Sequence, residues 1–199
     1  MKRLGILLSG RGSNFAAIAR NIREGALAAE ISIVLSNRAA APGLELARSL
    51  GLPARAIPPQ NLDREAYDSL LIEALMEAEV DLVCLAGYMR LLSARFVRAF
   101  ENRILNIHPS LLPAFTGLDA QHQALTYGVK VTGCTVHLVD EYLDAGPILM
   151  QAAVPVLDTD TVETLSARIL EQEHRIFPLA IAKVLAGSIR MEGRRVISL

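Results

Sequence analysis

The chain has 199 residues, of which 52% are hydrophobic and 21% charged, and 20 Lys plus Arg against 21 Asp plus Glu leave a net charge of −1. That length suits one domain whose core needs no disulfide or metal to hold it. The composition excludes a disordered, collagen-like or mucin-like chain, and the balanced charge excludes a general polyanion binder, so no nucleic-acid partner is expected.

In chain order, Lys2-Arg3 followed by the apolar run Leu4 to Leu8 has the look of a signal peptide. Gly10, Arg11 and Gly12 break that run at once. The run reads instead as a buried strand, and Ile31 to Leu35, Ala54 to Ile57 and Asp81 to Ala86 read likewise. Between them, Phe15, Ile18 and Ile22, then Leu44 to Leu50 and Tyr67 to Met76, recur at helical spacing. Strands alternating with helices imply βαβ units: a parallel sheet with helices on both faces, binding ligands outside the strands' carboxyl ends. The second half departs from this. Arg103 to Ile107 is a short strand running into Pro109, followed by a long connection and a short helix around Gln121 to Tyr127. Thr132 to Val139 and Ile148 to Val156 are strands, expected to be antiparallel. Asp160, with Glu163 at capping-box spacing, opens a long helix that Pro178 should kink or re-pair. Ser188 to Met191 and Arg194 to Leu199, joined by Glu192-Gly193, form a terminal hairpin. No linker separates two domains, and no apolar stretch is long enough to span a bilayer. Cys84 and Cys134 stand far apart without a CxxC and read as reduced core thiols. A soluble cytoplasmic protein with no membrane partner is expected.

Three segments could carry chemistry. Ser9-Gly10-Arg11-Gly12-Ser13-Asn14 follows a strand and opens a helix. Glycines bring backbone N–H groups close to an anion, the helix dipole favours it, and Ser13 and Asn14 add donors; a phosphate is the natural guest. The loop is neither a dinucleotide fingerprint, since Phe15 stands where the third glycine belongs, nor a Walker loop. An ordinary tight turn with Ser13 as cap is an equal alternative. In Asn106-Ile107-His108-Pro109 the amide and imidazole share one face of an extended segment and could both donate to one oxyanion. The acidic loop Asp140 to Asp144, closed by Gly146-Pro147, reads in isolation as a solvated turn, although one carboxylate could reach His108, raise its pKa and orient its ring. Met89-Arg90-Leu91-Leu92 could form an apolar wall plus one cation, and otherwise reads as core packing beside an exposed Arg90.

The segments SGRGSN, AGYMRLL, NIHPSLLPAFTGLDA, VTGCTVHLVDEYLDAGPI and QEHRIFP, in that order from Leu4 to about Val184, resemble the folate-dependent phosphoribosylglycinamide formyltransferases. The SLLP and DAGPI segments belong to the wider formyltransferase superfamily; the GRGSN loop points to this branch. The resemblance implies one Rossmann-like α/β formyltransferase domain over 1–199, with a phosphate-binding half to about residue 100 and a catalytic, folate-binding half after it. It implies that Asn106, His108 and Asp144 are catalytic and that Gly12, Ser13, Asn14 and Glu173 hold the glycinamide ribonucleotide. Arg64, Met89, Arg90, Leu91, Leu92 and Asn106, with Asp140, Glu141, Tyr142, Leu143 and Asp144, would surround 10-formyltetrahydrofolate, the co-substrate. No metal is implied, and either a monomer or a homodimer fits. Two sites depart from the family pattern: Thr116 replaces a usual proline, and Gln121-His122 stands where a histidine comes first, so His122 does not inherit that position's role.

The same catalytic trio would serve a formyltetrahydrofolate hydrolase, which uses water in place of the amine. Such enzymes usually carry a further N-terminal domain and need no phosphate loop. A methionyl-tRNA formyltransferase would be longer and more basic. A non-catalytic folate or phosphometabolite sensor would keep the glycine loop but tolerate loss of His108, and the intact trio argues against it.

Overall fold

The computed structural model describes residues 1–199, which divide into two compact units, Met1–Leu105 and Asn106–Leu199. The first unit contains β1 (Lys2–Leu8), α1 (Ser13–Arg23), β2 (Ala29–Ser36), α2 (Pro42–Ser49), β3 (Ala54–Ala56), α3 (Arg64–Glu77), β4 (Leu82–Leu85) and α4 (Ala94–Ala99). It ends inside β5 (Ile104–His108). Its strands lie in the order β3-β2-β1-β4, with β5 next to β4. β1 runs parallel to β2 and β4, and β2 parallel to β3. Leu4, Ile6, Leu7 and Leu8 are fully buried, as a parallel strand covered on both faces requires. Phe15 and Ile18 of α1 and Tyr67, Leu71 and Leu75 of α3 bury their apolar stripes.

The sequence pattern did not reveal α4, whose six residues are too few to show a period. It is positioned by a buried polar pair. The Ser93 side chain caps Phe96 N–H at 3.2 Å, and Asp68 accepts Ser93 N–H at 2.6 Å.

The second unit holds the end of β5, then α5 (Ala120–Tyr127), β6 (Val131–Leu138), β7 (Ile148–Pro155), α6 (Val162–Leu185), β8 (Ile189–Glu192) and β9 (Arg195–Ser198). β6 lies between β5 and β7, and its pairing with β7 is antiparallel, from Val131 opposite Pro155 to His137 opposite Ile148. The expected mixed sheet is thus present: parallel strands early, an antiparallel pair late. No helix is long and apolar enough to cross a membrane.

Two boundaries differ from the sequence reading. The helix α6 is capped by Thr161 with Thr164 as its reciprocal partner, not by Asp160 with Glu163. Asp160 is occupied elsewhere: its carboxylate takes both terminal nitrogens of Arg168, at 2.7 and 2.8 Å, and the Leu157 N–H at 2.7 Å. These donors hold its carboxyl far below the usual carboxylate range. The helix continues past the buried Pro178 to Leu185. In the terminal hairpin Glu192 pairs with Arg195, so the turn is Gly193-Arg194, one residue later than expected; Gly193 supplies the positive φ of 60°.

Candidate active site

In the second unit, β5 delivers Asn106 and His108 two residues apart on an extended backbone. The loop between β6 and β7 brings Asp144 to them. His108 Nδ1 is 3.5 Å from Asp144 Oδ2, and both side chains are more than nine-tenths buried. The other ring nitrogen, Nε2, lies 2.8 Å from the Phe115 carbonyl. A carbonyl only accepts, so Nε2 carries a proton. The imidazolium is the form in which both nitrogens meet an acceptor. Asp144 also accepts Gly117 N–H at 2.8 Å, which ties the connection after β5 to the acidic loop.

A fourth group joins this cluster. His137, on β6, has Nε2 at 3.1 Å from Asn106 Nδ2 and at 3.9 Å from Asp144 Oδ1. No motif or spacing in the sequence singles out His137. The available signal was its place on a strand running into the DAGPI loop. Thr135, two residues earlier, is fully buried and pins the start of the same connection. Its hydroxyl donates to Ser110 O at 2.7 Å and accepts Leu112 N–H at 3.0 Å. Leu112-Pro113 is a cis peptide.

The acidic loop can reach His108 because of its backbone. Asp144 has φ 48°, in the left-handed region. A Cβ on Gly146 would stand 1.7 Å from the Leu138 carbonyl oxygen, so only glycine lets the loop close on β6, where Leu138 N–H bonds Pro147 O at 2.9 Å. Gly146→Ala is therefore expected to destabilise the protein by about 2–3 kcal/mol. The check is a urea melt showing a lowered midpoint at unchanged slope; an unaltered midpoint would mean the loop tolerates the methyl group. The rest of the loop is open to solvent: Glu141, Tyr142 and Leu143 are exposed, and Asp140 folds back to accept Tyr142 N–H at 2.9 Å.

In the first unit, the glycine loop after β1 lines a cavity of about 220 Å³. Ser9 to Asn14, Arg38, Ala86, Gly87 and Met89 form its wall, which includes two arginines and no carboxylate. Gly12, at φ 76°, is the N-cap of α1, so Ser13 is the first helical residue and not the cap. No side chain caps this helix and no acid stands in its first turn. Its leading N–H groups and dipole therefore favour an anion. Ser9 braces the loop, donating to Asn37 Oδ1 at 2.6 Å and accepting Met89 N–H at 2.8 Å.

After β4, Met89 and Leu91 are 61% and 51% exposed, so they are not core. The Arg90 guanidinium lies 4.6 Å above the Tyr67 ring, and the residue is half-buried. Arg64 begins α3 and is exposed. It and Arg90 both act on the buried Asp68 carboxylate, whose pKa burial nevertheless raises. In the second unit Glu173 is buried on α6, where its charge helps burial push the Cys134 thiol up to about 12. His122, exposed on α5, bonds Thr126 at 3.3 Å and is no member of the His108 cluster.

Comparison with known proteins bears on the whole chain. The model of the formyl transferase family matches residues 2–181. A phosphoribosylglycinamide formyltransferase of Bacillus subtilis is 41% identical over 193 residues, 96% of this chain and 99% of that protein. The trifunctional purine biosynthetic protein adenosine-3 of Bos taurus is 50% identical over 95% of this chain, and the chain spans only 19% of its length. The crystal structure of glycinamide ribonucleotide transformylase 1 from Symbiobacterium toebii superposes with a TM-score of 0.98 at 55% identity, covering 100% of this chain and 94% of that one. A formyltetrahydrofolate deformylase from Pseudomonas syringae has a TM-score of 0.93 at 27% identity, with 66% of its chain covered.

Proposed function

The chain belongs to the formyl transferase family, and from that premise we propose that it moves the formyl group of 10-formyltetrahydrofolate to the amine of 5'-phosphoribosylglycinamide, a step of purine biosynthesis. The observation that carries this reading is the approach of a buried carboxylate to the His108 ring at 3.5 Å, with Asn106 two residues earlier on the same strand. The family model spanning residues 2–181 supports treating both compact units as one formyltransferase domain.

In the proposed reaction the substrate amine attacks the formyl carbon. A C–N bond forms and negative charge gathers on the formyl oxygen. Asn106 Nδ2–H and a ring N–H of His108 donate to that oxygen, each such donor contributing roughly 3–4 kcal/mol. Asp144 orients the ring and stabilises the charge it carries. The intermediate collapses when the bond to N10 of the folate breaks, and the proton lost by the amine reaches N10 either through His108, which gives a ring proton to N10 and then takes up the amine's, or through an ordered water. Phe115 O holds the His108 Nε2–H at 2.8 Å, so the substrate has to exchange with that carbonyl. No metal is required, because the N-formyl donor is already activated and holding two reactants together supplies much of the barrier reduction. Gly12, Ser13 and Asn14 are assigned to the ribonucleotide phosphate, which the acid-free cavity beside Arg11 and Arg38 supports. Glu173 is assigned to the glycinamide. Arg64, Met89 to Leu92 and Asp140 to Asp144 are assigned to the folate, supported by the exposed apolar Met89, Leu91, Tyr142 and Leu143. A cytoplasmic setting accords with two buried cysteines left as free thiols.

The likeness to a deformylase favours one second reading, hydrolysis of the same donor by water. One assay separates the two. Tetrahydrofolate release from 10-formyltetrahydrofolate is expected to require the ribonucleotide. Release at an equal rate without it would replace the transferase reading by the hydrolase.

A further inference from the structure

We infer that His137 is a positioning residue: as a neutral imidazole protonated on Nδ1, it takes one N–H of the Asn106 amide on Nε2 and so fixes which way that amide faces. The inference rests on the reading of Asn106 as an oxyanion donor.

The β6–β7 pairing changes register between Val136 and His137, an irregularity that re-aims the side chain that follows it. His137 Nδ1 lies 2.9 Å from the carbonyl oxygen of Leu138. That oxygen can only accept, so Nδ1 holds the hydrogen. A neutral ring has one such hydrogen, and Nε2 is left with a lone pair. The group facing that lone pair at 3.1 Å must be a donor, which places the amide nitrogen of Asn106, and not its oxygen, against the ring. Turning the amide over would set two lone pairs against each other. The second N–H of Asn106 is then held in a defined direction without any contact between His137 and a reactant, since His137 is 2% exposed.

The charged groups around His137 are Asp144 and Asp140 from the acidic loop and His108 from β5; Asn106 is its neutral neighbour on β5. The two carboxylates favour a charged ring and His108 disfavours it, but burial dominates and holds the His137 pKa below the usual histidine value. A proton on Nε2 would turn the acceptor into a donor facing the amide NH2, and Asn106 would have to release or rotate. The arrangement works only while the ring is neutral.

Two measurements on the full chain test this. Long-range proton–nitrogen NMR of histidine-labelled protein at neutral pH should show His137 neutral, with the hydrogen on Nδ1. An Nε2–H tautomer or a doubly protonated ring would overturn the inference, and this holds even if variants at 137 fail to fold. In kinetics, His137→Leu should lower kcat about 100-fold, as loss of an oxyanion donor would, with each KM within about threefold. His137→Gln, whose carbonyl can accept the same N–H, should restore most of the rate. In an Asn106→Ala background, His137→Leu should change kcat by less than about threefold, because the two act through one donor. Independent, multiplying losses would make His137 merely structural. A slow Asn106→Ala beside a fast His137→Leu sinks this inference alone; full activity in Asn106→Ala sinks the oxyanion reading as well.

Discussion

His108→Ala is expected to lower kcat by about 10³–10⁴-fold, near the upper range for a general acid–base group that also steadies an oxyanion. The KM values for both substrates should stay within roughly threefold, since interactions made only in the transition state leave ground-state binding unchanged. The reason lies in the ring's partners. His108 is more than nine-tenths buried and held from both sides, by Asp144 at Nδ1 and by the Phe115 carbonyl at Nε2. In the proposed reaction the substrate displaces the Phe115 carbonyl from Nε2 while Asp144 keeps the ring oriented, so loss of the ring falls on turnover more than on binding. Steady-state kinetics together with calorimetric titration of each substrate separates the alternatives. A variant with normal kcat and a tenfold higher KM would make His108 a binding group and remove it from the proton path.

Asp144→Asn should cost about 10²–10³-fold in kcat while leaving the fold intact. An amide oxygen can still accept the Gly117 N–H that Asp144 now takes at 2.8 Å. Asparagine also tolerates the left-handed backbone that Asp144 adopts at φ 48°. What disappears is the negative charge beside His108, and with it the stabilisation of an imidazolium and the preference for one ring orientation. Replacing the orienting carboxylate by an amide in a serine-protease triad costs about 10⁴-fold through the wrong tautomer; a smaller loss is expected here because the carboxylate stands 3.5 Å from the ring. The melting temperature should move by only a few degrees, since about 1 kcal/mol shifts a domain of 150–250 residues by 2–4 °C. Near-normal turnover in Asp144→Asn would show that the carboxylate's charge plays no part.

The elements came through the sequence where burial and period coincide. Leu4 to Leu8 is apolar at every position because a parallel strand is covered on both faces, and it is a strand. Helix ends were less legible. Asp160 fits a cap on paper, but Arg168, eight residues on, takes its carboxylate, and Thr161 and Thr164 cap α6 instead. That competition depends on which side chain arrives first in space, which spacing along the chain does not encode.

For the candidate site, sequence by itself determined the chemical inventory and the pair that needs no fold to meet: on an extended segment Asn106 and His108 face one way because side chains alternate. It also determined the glycines, since Gly12 at φ 76° and Gly146 against Leu138 O stand where a side chain is strained or excluded. The family resemblance already named Asp144, but the residues themselves left open which carboxylate of the loop meets His108; tertiary structure decided that approach, and it alone decided that His137 meets Asn106. The physical reason is that a hydrogen bond is settled over a few tenths of an ångström. A register change on β6 and one left-handed residue in the acidic loop set those distances, and neither leaves a periodic trace in the order of residues.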